Sequence, residues 1–146
     1  GKAGAKSGED RKTGATEAFS VDGIELVESQ PADWDRTKAY DVATNYISKY
    51  PELKGIYACN DTMAMGALEA VKASGKDILV VGTDGNEDAV QSVLDGELAA
   101  TVAQDPAGIG ARGLELLVEV VTAGGKIDPE IEPKTESVNA KLIIKE

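Results

Sequence analysis

The sequence contains no histidine, a single cysteine and a single tryptophan among its 146 residues. Without histidine there is no Ser-His or Cys-His dyad, no imidazole metal ligand and no imidazole general base. A lone Cys59 permits neither an internal disulfide nor a cysteine zinc cluster, and a free thiol of this kind is expected in the core. No run approaches the roughly 18 apolar residues that a membrane span requires. The opening GKAGAKSGEDRKTG has no apolar stretch of the kind a secretory signal carries, and no initiator Met. Basic charge is scarce as well. Fifteen Lys and Arg against 26 Asp and Glu give a net charge of −11, the wrong sign for displacing phosphate counterions, which argues against a nucleic-acid partner. What remains is a composition 42% apolar and 28% charged, that of a globular chain long enough for one core. These absences argue against an ordinary enzyme.

Strand-like and helix-like segments alternate along the chain. Ile24 to Gln30 (IELVESQ) predicts a strand, and residues 35–49 a helix with Ala39, Val42, Ala43, Tyr46 and Ile47 at helical spacing, ended by Pro51. GIYAC (55–59) predicts a short strand, and residues 61–74 a helix closed by Gly75, with Met63 and Met65 expected in the core. DILVV (77–81) predicts a strand buried on both faces, followed by a helix over 86–95 that Asn86 can cap. LAATVA (98–103) predicts another strand. Asp105-Pro106 then opens a helix running to about Thr122, and KLIIK (141–145) closes the chain as a strand after a polar, proline-containing stretch. This pattern predicts an α/β fold with a doubly wound, mostly parallel sheet. Two features do not fit a self-contained sheet. Residues 7–19 read as a helix with no strand before it. The helix after Asp105 is apolar on more than one side: Leu114, Leu117, Val118 and Val121 form one stripe, with Leu116 and Val120 off it.

Ligands of open α/β sheets bind beyond the carboxyl ends of the strands. The residues expected there are Trp34, Asn60, Asp84 and Gln104, with Arg11 near the start of the first helix. A flat aromatic, a cation, a carboxylate and two carboxamides suit a sugar. Hydroxyls both donate and accept, while the C–H face of the ring is apolar and stacks on an indole. Asp84 with Arg11 reads as a hydrogen-bond clamp rather than acid–base machinery. Each residue also has a plainer reading: Trp34 as loop packing, Asn60 or Asp61 as a helix cap, Asp84 as a turn residue, Gln104 and Arg11 as solvated surface. Their joint location favours the site. Other motifs are weak. Asp84-Gly-Asn-Glu-Asp88 starts like a calcium loop, but Ala89 stands where that loop needs glycine. Neither a P-loop nor a G-x-S-x-G elbow is present.

The segments SQPADWDR (29–36), ACNDTMAMGAL (58–68), LVVGTDG (79–85) and ATVAQDP (100–106) resemble the periplasmic sugar-binding proteins of bacterial ABC importers, of the ribose/allose-binding type. The opening GKAG with GEDRKTGATEAF most resembles the allose-binding members. The resemblance implies a non-enzymatic carrier whose two lobes close on a monosaccharide. It implies binding roles for Arg11, Trp34, Asn60, Asp84 and Gln104, with no cofactor, no metal and an ABC permease as partner. Tryptophan where ribose binders carry phenylalanine implies a broader platform, hence a pyranose hexose. Intact members are about twice this length, so the resemblance implies a C-terminal-lobe fragment lacking its first strand. Residues 1–104 are then that lobe, 105–133 a helix that packs on the N-terminal lobe, and 134–146 a return segment with the final strand. Such a fragment is expected to bind sugar weakly or not at all, and to pair with the missing lobe or with another copy of itself. The implied location is periplasmic or extracellular, lipid-anchored in a Gram-positive organism. The competing reading is the effector domain of a sugar-responsive transcriptional regulator, which shares this fold and would need a basic helix-turn-helix before this segment.

Overall fold

The computed structural model describes residues 1–20, 23–125 and 135–145. In chain order the elements are α1 (Lys6–Ala18), α2 (Arg36–Lys49), β1 (Gly55–Tyr57), α3 (Asp61–Ser74), β2 (Leu79–Asp84), α4 (Glu87–Asp95), β3 (Ala100–Ala103), α5 (Pro106–Thr122) and β4 (Lys141–Ile144). The sheet order is β1-β2-β3-β4. β1 pairs with β2 and β2 with β3 in parallel, with Ile56 opposite Val80 and Gly82 opposite Thr101. This is the mostly parallel α/β arrangement that the alternating pattern predicts. The chain divides into two compact units: Gly1–Ala103 with Leu142–Glu146, and Gln104–Lys141. The polar, proline-containing stretch expected before the last strand falls largely at 126–134, outside the described residues.

Helix boundaries in the first unit follow local chemistry. The Asp35 carboxylate caps α2 by accepting from the Lys38 N–H (2.8 Å), and the Asn60 carboxamide oxygen caps α3 by accepting from the Met63 N–H (2.9 Å). Gly75 and Gly96 end α3 and α4 in the left-handed conformation that a glycine adopts without strain. The core lies between one face of the sheet and the layer of α3 and α4, with α2 packed on α3. It contains Ala43, Met63, Ala64, Leu68, Val71, Val80, Val93 and Leu98, and Cys59 is buried in it; Met65 packs against it half-buried.

Three expectations need correction. Ile24–Gln30 does not form a strand. A strand exists only through ladder hydrogen bonds, and no described strand lies beside this segment; Ile24, Leu26 and Val27 are exposed. DILVV is not buried on both faces. Ile78 and Val80 face the core, whereas Leu79 is 63% exposed and lines, with Val81 and Ile56, a cavity of about 970 Å³. Across that cavity stand Gly8, Ala15 and Phe19 of the α1 region and the 24–30 segment. Asn86 occupies the N-cap position of α4, but its side chain makes no capping bond. Its backbone N–H is drawn instead to a buried carboxylate, described below.

The 24–30 segment is tied to α2 by Glu28. Its carboxylate accepts from Lys49 Nζ (2.8 Å) and from the Tyr50 hydroxyl (2.7 Å). These donors, Lys49 foremost, lower its pKa from 4.5 to about 2. Burial pushes the Tyr46 phenol on the same helix up to about 12. In the second unit, Asp105 caps α5 through the Gly108 N–H (2.8 Å) with Pro106 at the first helical position. No α5 side chain is buried among the described residues; Leu114, Leu117, Val118 and Val121 are all exposed. Arg112 grips Glu136 through two bonds (2.7 and 3.1 Å) and also reaches Glu119 (3.1 Å), so its guanidinium is held charged more firmly than usual.

α2 and α3 meet where the Arg36 carbonyl rests on Gly66, and a Cβ at Gly66 would overlap that carbonyl oxygen. Gly66→Ala should therefore destabilise the protein by about 1–2 kcal/mol even though alanine favours a helix, as a lower urea midpoint. The Glu28 tie has a pH signature. A carboxyl with a depressed folded pKa contributes its stability above the unfolded value near 4.5 and loses it as pH falls toward about 2. Unfolding midpoints of wild type and Glu28→Gln should differ at pH 6 and converge across that window.

Candidate functional site: a polar rim at the carboxyl ends of β1 and β2

The carboxyl ends of β1 and β2 carry the polar groups of interest. Asp84 is the last residue of β2, and Ala58, Cys59 and Asn60 link β1 to α3. Arg11, on the second turn of α1, reaches this rim. Its Nη2 donates to Asp84 Oδ1 (2.8 Å) and its Nη1 to the Cys59 carbonyl oxygen (2.6 Å). Both side chains of this ion pair are about three-quarters shielded, at 22% and 24% exposure. Screening by solvent is thereby reduced relative to a surface pair. The same guanidinium lies 6.0 Å from the centre of the Trp34 ring, at the outer range of a cation–π contact.

Backbone strain collects at this rim. The positive-φ non-glycine residues among those described are Asp33 (53°), Trp34 (63°) and Asp84 (128°). Side-chain-bearing residues avoid such angles, and those that keep them cluster at functional sites. Trp34 is half-buried and leans on α1, where a Cβ at Gly8 would stand 3.1 Å from its Cζ2. Behind the rim, the Tyr57 hydroxyl lies 3.3 Å from Thr83 Oγ1. Burial raises the Tyr57 pKa against the opposing effect of that hydrogen bond.

Of the five residues read from the sequence, the structure joins Arg11, Asp84 and Trp34 directly. Asn60 follows Cys59, whose carbonyl Arg11 holds; its oxygen caps α3, a bond that does not use the carboxamide N–H groups. Gln104 is exposed and opens the second unit. Sequence reasoning missed Asp61 and Gly8. Asp61 is wholly buried: its Oδ2 accepts from the Gly85 N–H (2.7 Å) and the Asn86 N–H (2.8 Å), and its Oδ1 from the Thr101 hydroxyl (2.7 Å). One signal was present in the sequence. In an Asn-Asp pair at a strand–helix junction the asparagine can cap the helix, which leaves the aspartate carboxylate available to donors elsewhere. Gly8 carried no signal, because its partner Trp34 lies in a different loop. Among the described residues, no group of three or more Cys, Asp or Glu side chains is arranged to hold a metal ion.

Residues 1–126 match the family model of the periplasmic binding protein domain. The chain belongs to that family. It is 52% identical over 146 residues to the D-allose-binding periplasmic protein of Escherichia coli K12, covering 98% of this chain and 47% of that protein. It is 40% identical over 147 residues to the ribose import binding protein RbsB of Salmonella typhimurium LT2, covering 100% of this chain and 48% of that protein. A solved ABC-transporter periplasmic solute-binding protein of Actinobacillus succinogenes 130z, with bound D-allose, superposes with a TM-score of 0.89 at 34% identity. That match covers 99% of this chain and 50% of the other. The chain spans about half the length of the curated relatives it matches. These relatives are sugar-binding components of importers, and they give no support to the regulator reading. No helix among the described residues is long and apolar enough to cross a membrane.

Within this periplasmic binding protein fold, Gly8 makes room for the indole of Trp34. Gly8→Leu should drive the ring off α1 into water. Because Trp34 is the only tryptophan, a red shift of its emission with the helical circular dichroism retained would report that displacement.

Proposed function

We propose that this chain forms one half of the binding site of a bacterial ABC sugar importer's substrate-binding protein, and that its ligand is an allose- or ribose-like monosaccharide. The observation that carries the reading is the Arg11–Asp84 pair beside Trp34, set in a chain 52% identical to a D-allose-binding protein. The charges of the pair cancel, which suits an uncharged ligand. A carboxylate set beside a guanidinium suits adjacent hydroxyls, which donate and accept at once. Asn60 adds donors, Gln104 adds a carboxamide, and the indole of Trp34 offers its face to the C–H side of the ring. The larger ring of tryptophan suits a pyranose hexose.

The carrier holds its ligand without transforming it. Asp84 is engaged by Arg11 rather than poised beside a nucleophile, and the named relatives are binding proteins. Residues 1–104 serve as the sugar-binding lobe. The helix within 105–133 packs its apolar sides on the other lobe, and 134–146 returns with the final strand. The exposed leucines and valines of α5 support that assignment. In the two-lobe protein, ligand favours the closed form because both lobes touch it, and closure presents the carrier to its permease. Its place is the periplasm or the cell exterior, as for the periplasmic relatives.

Titration of the two-lobe protein with a panel of aldohexoses and aldopentoses, read by Trp34 emission and by calorimetry, tests this reading. Saturable binding of at least one aldose is expected, and Asp84→Ala should weaken it roughly 10- to 100-fold, as befits loss of a charged hydrogen-bonding group. Failure of every aldose to bind would overturn the reading. The isolated chain offers half the contacts, so a sub-micromolar affinity for it would contradict the shared site.

A further inference from the structure

A carboxylate in the first turn of a helix ordinarily faces water and the helix's own N–H groups. Asp61, in the first turn of α3, is instead fully buried and turned across the sheet. Two of its three donors are the backbone amides of Gly85 and Asn86, the residues that follow Asp84; the third is the Thr101 hydroxyl on β3. Asp84 itself holds a φ of 128°, which its own side chain disfavours. The turn after it is therefore fixed from outside, by a buried carboxylate whose hydrogen bonds are strong in a low-dielectric setting. The backbone keeps space for this acceptor. A Cβ at Gly82, two residues before Asp84, would overlap Asp61 Oδ1, and one at Gly85 would run into Ala103.

We propose that Asp61 is the positioning residue for the Asp84 carboxylate: by holding the Gly85 and Asn86 amides it sets the Asp84–Arg11 pair in its sugar-binding geometry. The inference rests on the role given to Asp84 in the proposed function. Asp61 does not touch the ligand; it acts through the turn.

A double-mutant cycle in the two-lobe protein, with aldose affinity measured by calorimetry, tests it. Asp61→Ala should weaken binding roughly 10- to 100-fold. In the Asp84→Ala background the same change should cost no more than about twofold, because the residue it positions is gone. Asp61→Asn should restore most of the affinity. Its carboxamide oxygen can still take both amides, and its NH₂ can donate to the Thr101 hydroxyl. Losses that add in full across the cycle would overturn the proposal, since they would mark a general effect on stability. Should Asp61→Ala not fold, Gly82→Ala displaces the carboxylate without removing it and enters the cycle in its place. A ligand-free arm separates this inference from the site reading. Amide exchange at Gly85 and Asn86 should speed up at least about tenfold in Asp61→Ala or Gly82→Ala while the α3 amides keep their protection. Unchanged exchange at both amides overturns the inference whatever the sugar result. Full-strength binding by Asp84→Ala overturns the site reading instead, and faster exchange would still stand for the hold of Asp61 on the turn.

Discussion

A single buried carboxylate ties three elements of the first unit together. Asp61 belongs to α3, its amide donors to the turn between β2 and α4, and its hydroxyl donor to β3. A carboxylate taken out of water is tolerable only when its oxygens find hydrogen-bond partners, and here they do. That condition dictates its neighbours. Position 82 must lack a side chain, and position 101 must offer a hydroxyl where an apolar residue would otherwise pack. The strained angle at Asp84 is sustained by the same arrangement. In the proposed reading, a rim residue is thereby set from the buried layer behind it.

In the proposed reading the rim holds a ligand rather than reacts with it. Its cation and its carboxylate neutralise each other, and the backbone carbonyl of Cys59 takes a further guanidinium proton. Such a set is stiff and electrically quiet. On that proposed reading it discriminates by where its donors and acceptors stand. Belonging to the periplasmic binding protein family agrees with this economy of means.

Most of the architecture was legible in the sequence because local rules act there without competition. Gly75 ends α3 where expected, Asp105-Pro106 opens α5, and the apolar run at β2 marks a strand between β1 and β3. Arg11, Trp34 and Asp84 were legible as a group because the ends of parallel strands converge. The failures came where a residue's fate depends on a partner distant in the chain. IELVESQ has the composition of a strand, but pairing decides strands, and no described strand stands beside it. Asn86 has the chemistry of a cap, yet its own N–H is claimed by Asp61 from 25 positions away. Leu79 belongs to an apolar run and still faces a cavity, since alternation about a sheet carries no information on whether both sides are covered.

The contact at Gly66 has a consequence for recognition. α2 begins two residues after Trp34, and its Arg36 carbonyl is seated on α3, the helix whose N-cap is Asn60 and whose first residue is Asp61. The aromatic platform, the carboxamide and the anchor of the acidic turn are thus mounted on one interlocked helix pair. In the proposed reading, an incoming sugar would meet a surface that is already assembled. Little conformational freedom remains to be lost on this side of the site, and the entropy of association falls on the ligand and on whatever encloses it from the opposite side.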